Sequence, residues 1–346
     1  MNSIFDLVTA ANVVGYWIEQ NVNKQPLLGE TLFPYTREIG VRLDWIKGAN
    51  NQPVGLRLAA YDTKAIRRDR EGIESYTTKM PFFKESMYVD EEMRQQLNTL
   101  LQTNNSALVN SLVAKIFKDQ IKLIEAAKIT LERMRMEVLT NGTITLASNG
   151  QAYSYDFGVP SAQKATAKKA WSDASADAIA EINEIVSTMR AKGVEITRAV
   201  CNSSVIEDLK KNTSIKNQIY VLAGGSISSI SSAKVLEFLK QETGVTFYAY
   251  DNVYVNEEGK AVKYVADDTV VFLPEGTLGQ THMGVTPEES DLQALGTANV
   301  SVIENGIAVA TYGTEDPVNV EMKVSMVGMP SFERADEVYI LDTAAA

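Results

Sequence analysis

Between Ser106 and Leu139 the chain holds neither proline nor glycine, and this gap restricts the fold more than any other feature. Within it Val109, Leu112, Val113, Ile116, Leu123, Ile124, Ala127, Leu131, Met134 and Val138 recur at helical spacing. Asn104 or Asn105 can cap the start, and Asn141-Gly142 supplies the stop. At ~1.5 Å per residue the spacing predicts a helix of roughly 50 Å, about nine turns against the usual three or four. No strict heptad runs through it, so a coiled coil is not expected. A rod of this length cannot lie inside an ordinary compact domain, and whatever surrounds it has to be extended too.

The segments on either side fit that demand. Residues 1–18 place Ile4, Leu7, Val8, Ala11, Val14 and Ile18 on one stripe, as in a short amphipathic helix. Pro26 and Pro34 with Gly29 between them argue against a regular element there. Residues 1–36 therefore read as an arm that lies on something else. Next, Ile39, Val41, Leu43 and Trp45 alternate, Lys47 to Asn51 supplies turn residues, and Val54, Leu56 and Leu58 alternate on the return. A charge-dense stretch from Lys64 to Glu74 follows, and Met80-Pro81-Phe82-Phe83 closes a long two-stranded excursion. Such a ribbon is marginal by itself and needs a surface. Residues 90–102 predict one helix, with Asp90 as N-cap and Glu91 and Glu92 in its first turn.

Beyond the long helix, Asn149-Gly150 predicts a hairpin between 143–146 and 153–157, and 159–169 reads as a soft linker. From about 170, helices (173–191, 203–210, 232–241) alternate with strands (196–200, 245–250, 261–265, 269–273). Residues 276–315 are turn-rich and β-leaning. Val318, Val320, Met322, Val324 and Met326 then mark one strand, and 338–341 a last one.

Chemistry is sparse. The chain has one histidine, His282, and one cysteine, Cys201, so neither a disulfide nor a zinc site of those ligands can form within it. His282, in a Gly- and Thr-rich stretch, reads as a surface or loop residue. Cys201, ending an apolar strand, reads as a buried, inert thiol. Ala223-Gly224-Gly225-Ser226 lacks the lysine of a phosphate loop. The acidic pairs Asp267-Asp268, Glu257-Glu258 and Glu288-Glu289 read as solvated turns. The triplets at Asn202 and Asn212 match the glycosylation pattern, which has no meaning without a secretory route. No catalytic residue, cofactor or metal site is expected. A net charge of -11 argues against a nucleic-acid binder, and no apolar run is long enough to cross a bilayer, so a soluble cytosolic product is expected.

The order of parts resembles the capsid fold of tailed phages, the Hong Kong 97 type. Local stretches add to this: TLFPYTREIGVRLDWIKG (31–48), MPFFKESMYVDEEMR (80–94) and the helix end at 137–142 are similar to the lambda-type capsid family. The resemblance implies an α+β chain with an N-terminal arm (1–37), an extended β-hairpin or E-loop (38–89), a peripheral domain with a spine helix (90–170, helix 106–141), an α/β axial domain (171–315) and return strands (316–346). It implies a major capsid protein in hexamers and pentamers of an icosahedral shell around double-stranded DNA, located in the virion after assembly in the host cytoplasm. Residues near 223–232 or 276–296 would face the capsomer axis. No long helical extension precedes the arm, so a separate scaffold protein is expected, beside a portal and a decoration protein. An encapsulin-like nanocompartment and a cytosolic α/β enzyme with its site in 170–315 are the competing readings.

The subunit contacts are expected at Leu32, Phe33, Trp45, Arg67, Arg68, Arg70, Glu71, Glu74, Phe82 and Phe83. Exposed ion pairs are worth only ~0–1 kcal/mol each, so the charge run would fix register rather than supply affinity. Reversing Arg67, Arg68 and Arg70 to Glu is expected to impair assembly and leave the subunit folded, as read by electron microscopy and circular dichroism. Normal shells from the triple variant would make the run a solvated loop.

Overall fold

The computed structural model describes residues 4–40, 42–46, 75–89, 91–102, 106–223, 230–296, 298–315 and 318–344. They sort into two compact units. One is drawn from Met1–Asp44, Thr77–Arg135 and Gln280–Ser331, the other from Trp45–Tyr76, Met136–Gly279 and Phe332–Ala346.

The long helix runs from Ser106 to Asn141, 36 residues, or about 54 Å at 1.5 Å per residue. Its inward stripe (Ile116, Ile124, Leu131, Met134, Val138) is buried as the periodicity predicts. It stops where Gly142 takes φ +72, and the Gly142 N–H closes on the Val138 carbonyl at 2.8 Å.

In the first unit a six-stranded sheet follows the order Tyr35–Arg37, Thr281–Met283, Val318–Pro330, Ile307–Glu315, Asn299–Ile303, with Phe82–Tyr88 also paired to Val318–Pro330. That last strand is 13 residues long and carries two partners along one edge: Phe82–Tyr88 at 321–327 and Thr281–Met283 at 328–330. Its alternation is the expected one, with Val320, Met322, Val324 and Met326 buried. The other face is covered as well. A π-helical turn, Glu288–Leu292, sends the buried Glu288 carboxylate to Ser325 Oγ at 2.6 Å and to Lys323. Burial raises the Glu288 pKa, and the hydrogen bonds from Lys323 and Ser325 outweigh it and bring it below the ordinary value. Glu288 is thus no solvated turn residue, because a lysine and a serine from the strand meet it inside.

The second unit has a five-stranded sheet in the order Lys164–Thr166, Tyr339–Asp342, Thr269–Pro274, Ile196–Cys201, Thr246–Ala249. Its outer pairs are parallel and its inner pairs antiparallel. Trp171, Ile182, Met189, Leu209, Phe238 and Phe272 belong to its core. Thr143–Ser148 and Gln151–Asp156 form the expected hairpin, and Asn149 and Gly150 both take positive φ as a two-residue turn of this type requires.

Several expectations are corrected. The first helix breaks into Ile4–Leu7 and Ala10–Asn21, because the Thr9 hydroxyl accepts from Asn12 N and starts a new helix. Leu28–Leu32 is a short helix that the prolines bound rather than prevent. The linker contains a helical turn, Ser161–Gln163, and an edge strand, held where buried Gln163 donates Nε2 to the Asp336 carbonyl at 2.6 Å. The helix expected from Asp173 begins at Ala178, capped by Asp177. A further helix, Thr213–Ala223, goes beyond the sequence expectation: the Asn212 side chain accepts from Ile215 N and caps it. The ribbon's first strand (Arg42–Ile46) pairs with Ser75–Lys79. The turn at 47–51, the strand at 54–58, the charge run at 64–74, the caps Asp90, Asn104 and Asn105, and the Gly-Gly loop at 224–226 lie outside the described residues.

Cys201 is buried at the end of its strand, and burial pushes its thiol up to about 12. The native chain is therefore expected to take up no thiol reagent at pH 8, and one equivalent after denaturation. Prompt labelling of the native chain would contradict the fold at this strand.

Candidate functional site

Residues 27–38 form a strap across the first unit, and almost every residue of it has an assigned partner. Pro26 and Pro34 limit the helix Leu28–Leu32 to little more than one turn, which points Leu32 and Phe33 inward, where both are fully buried. The Gly29 N–H donates to Glu132 Oε1 at 2.9 Å. Thr281 Oγ1 donates to the Phe33 carbonyl at 2.8 Å and accepts from Arg135 Nε at 2.8 Å. The guanidinium carbon of Arg135 lies 4.5 Å from the centre of the Tyr35 ring. Glu132 and Arg135 are fully buried one turn apart on the long helix, with Arg135 Nη1 3.6 Å from Glu132 Oε2. Neither residue stands out in the sequence, since a Glu and an Arg on a long helix normally face solvent. Their position among Leu131, Met134 and Val138 is the one signal that could have revealed them.

Two more contacts fasten the strap. Lys128 holds Glu30 at 2.9 Å and Glu304 at 3.1 Å, and its ammonium lies over the Trp17 ring. Burial lowers the Lys128 pKa, but the two carboxylates outweigh it and raise it. From Tyr35 the strap becomes a strand parallel to Thr281–Met283, with Thr36 bonded to Gln280 and Arg37 to Glu289 and to the Asn305 carbonyl.

At the strap's end stands the only histidine. His282 is neither exposed nor in a loop. It lies buried in the strand 281–283, with Nδ1 2.9 Å from Glu38 Oε1 and Nε2 3.1 Å from Ser331 Oγ. A carboxylate can only accept, so Nδ1 carries the proton, and in the neutral ring Nε2 accepts from the serine hydroxyl. The connectivity is that of a serine hydrolase relay, but the surroundings are not. Ser331 is fully buried, and its hydroxyl also lies within hydrogen-bond distance of the Gln280 N–H and carbonyl. No substrate carbonyl can approach this oxygen, so the chain of bonds fastens the backbone.

The expected contact residues divide in consequence. Leu32 and Phe33 are buried within their own unit, so the arm lies on the body of its own subunit here. Phe82 is 43% exposed on an outer strand, and Phe83 is half-buried beside it. Trp45 lies in the ribbon strand, and Arg67, Arg68, Arg70, Glu71 and Glu74 lie outside the described residues.

The family model described as phage major capsid protein E matches residues 10–343. Three solved structures resemble the whole chain at low identity. The first, assigned as a prophage capsid protein of Escherichia coli CFT073, has a TM-score of 0.60 at 15% identity and covers 97% of this chain and 99% of that one. A phage-related protein of Bordetella bronchiseptica RB50 has a TM-score of 0.56 at 12% identity, covering 97% of each chain. A capsid chain of cyanophage A-1(L) has a TM-score of 0.52 at 10% identity, covering 93% of each. No curated protein matches.

Arg135→Ala would leave Glu132 buried without its cation, an expected loss of about 3–5 kcal/mol. Denaturant unfolding followed through tryptophan fluorescence, with Trp17 reporting on this unit, checks it. The paired change Glu132→Gln with Arg135→Met is expected to cost less than the single one. A larger cost for the pair would mean that charge is not what the site requires.

Proposed function

This chain belongs to the phage major capsid protein E family, and we propose that it assembles into hexamers and pentamers of an icosahedral shell around double-stranded DNA. The family is structural, not enzymatic, and its place is the capsid of the virion. The observation that carries the reading is the family match at 10–343, which spans both compact units.

In this reading 1–37 is the arm, 38–89 the E-loop, 90–170 the peripheral domain with the spine helix, 171–315 the axial domain, and 316–346 the return strands. Since Leu32 and Phe33 are used within the subunit, contacts to neighbours fall to the ribbon, its charge run and the exposed Phe82. Residues near 223–232 or 276–296 would face the capsomer axis. A separate scaffold, a portal and a decoration protein complete the proposal. An acidic subunit suits a container whose wall must not grip a polyanion.

Negative-stain microscopy of the purified full chain over a range of concentrations, with and without crowding agent, tests this. Shells or capsomer-sized rings are the expected result, and a monodisperse monomer under every condition would sink the reading. Particles isolated from infected or induced cells should contain DNA; a packaged enzyme instead would favour a nanocompartment.

A further inference from the structure

The two ribbon strands meet the body at one place. On the way out, Glu38 N donates to the Met283 carbonyl at 2.8 Å, and the Glu38 carboxylate accepts from His282. Gly40 then turns with φ +112 before the strand Arg42–Ile46 begins. On the way back, Met80 is buried, Gly328 N reaches the Pro81 carbonyl at 3.3 Å, and Phe82 enters the sheet.

Between these paths lies Gly284, whose N–H donates to the Val327 carbonyl at 2.8 Å. A Cβ here would press on the carbonyl oxygen of Gly40 well inside van der Waals contact. It would also come within 3.0 Å of both Met80 Cε and Val327 Cγ1. The outgoing backbone, the returning side chain and the long strand thus converge on a residue that can carry no side chain. Two residues earlier, His282 fixes Glu38 from the same strand and is itself held by Ser331.

Resting on the shell reading, we infer that Gly284 and the Glu38–His282–Ser331 chain form a positioning site that sets the direction in which the ribbon leaves the subunit. The segment joining the two strands, residues 47–74, carries the charge run. A shift at the base would therefore displace every contact made further out. The site acts through the ribbon.

The test uses the full chain as Gly284→Ala, Glu38→Ala and Glu38→Gln, the last keeping an oxygen that can accept from His282. Deuterium exchange on unassembled subunits is read at 38–46 and 75–82, against the strands 299–303 and 307–315. Gly284→Ala and Glu38→Ala are expected to exchange about tenfold faster at the ribbon base with little change in the reference strands. Their threshold concentration for assembly should rise by about tenfold while Tm moves little, and Glu38→Gln should restore both. If Gly284→Ala does not fold, the two Glu38 variants decide. Faster exchange spread evenly through the unit would mean general destabilisation and overturn the inference. Assembly of Gly284→Ala or Glu38→Ala at the wild-type threshold would overturn it too. Failure of the wild type to assemble under any condition counts instead against the shell reading.

Discussion

The first unit is organised around a guanidinium with no access to water. Moving a charge of this kind out of solvent costs several kcal/mol even after relaxation. Arg135 recovers that cost only because three different parts of the chain reach it: Glu132 on its own helix, Thr281 from a strand, and the Tyr35 ring from the strap. Without Glu132 the charge would lose its counter-ion, and without Thr281 its Nε would lose its acceptor. The strap is therefore no loose appendage on a finished domain, since part of the core is electrostatically incomplete until residues 29–35 are in place.

That dependence changes what the arm can do in an assembled shell. A segment that only covered apolar surface could be peeled away for the price of its buried area. Residues 27–38 also carry the acceptors and donors that satisfy Lys128, Thr281, Arg135 and His282. Releasing the strap would leave a half-buried lysine, a buried arginine and a buried histidine short of partners together, and such losses are large and coupled. Any displacement of the arm costs less on either side of the strap. There Val22 and Ile39 are exposed, and Gly40 already holds a conformation that suits a change of direction.

Much of this was legible in the residues because it depends on local rules. The long helix, the Asn-Gly hairpin and the strand at 318–330 announce themselves by periodicity and turn chemistry, and they occur where those predict. What stayed hidden depends on partners far away in the chain. Glu132 and Arg135 look like ordinary surface residues of a helix until a strand about 150 positions later and a strap about 100 positions earlier close over them. His282 misled for the same reason. Its neighbours Gly284 and Thr281 suggest a loop by composition, yet here the glycine is a point of close approach and the threonine a buried bridge. The contact residues divided along the same line: Leu32 and Phe33 were apolar enough to suggest an interface, and the subunit's own helix and strand bury them first.

The serine–histidine–glutamate chain shows why connectivity is a weak guide to chemistry. Three side chains at 2.9 and 3.1 Å reproduce the wiring of a nucleophile relay. A relay needs an open side on its serine, an electrophile within reach, and donors aimed at the charge that develops. Ser331 has its open side taken by the backbone of Gln280, so the same wiring performs a mechanical task. A histidine suits that task for a physical reason. It is the only uncharged side chain that can bind a carboxylate with one nitrogen and a hydroxyl with the other across a rigid ring. An amide could make both bonds, but only on a flexible stem that does not fix the distance between them. That rigidity fixes the distance from Glu38 at the base of the strand Arg42–Ile46 to Ser331.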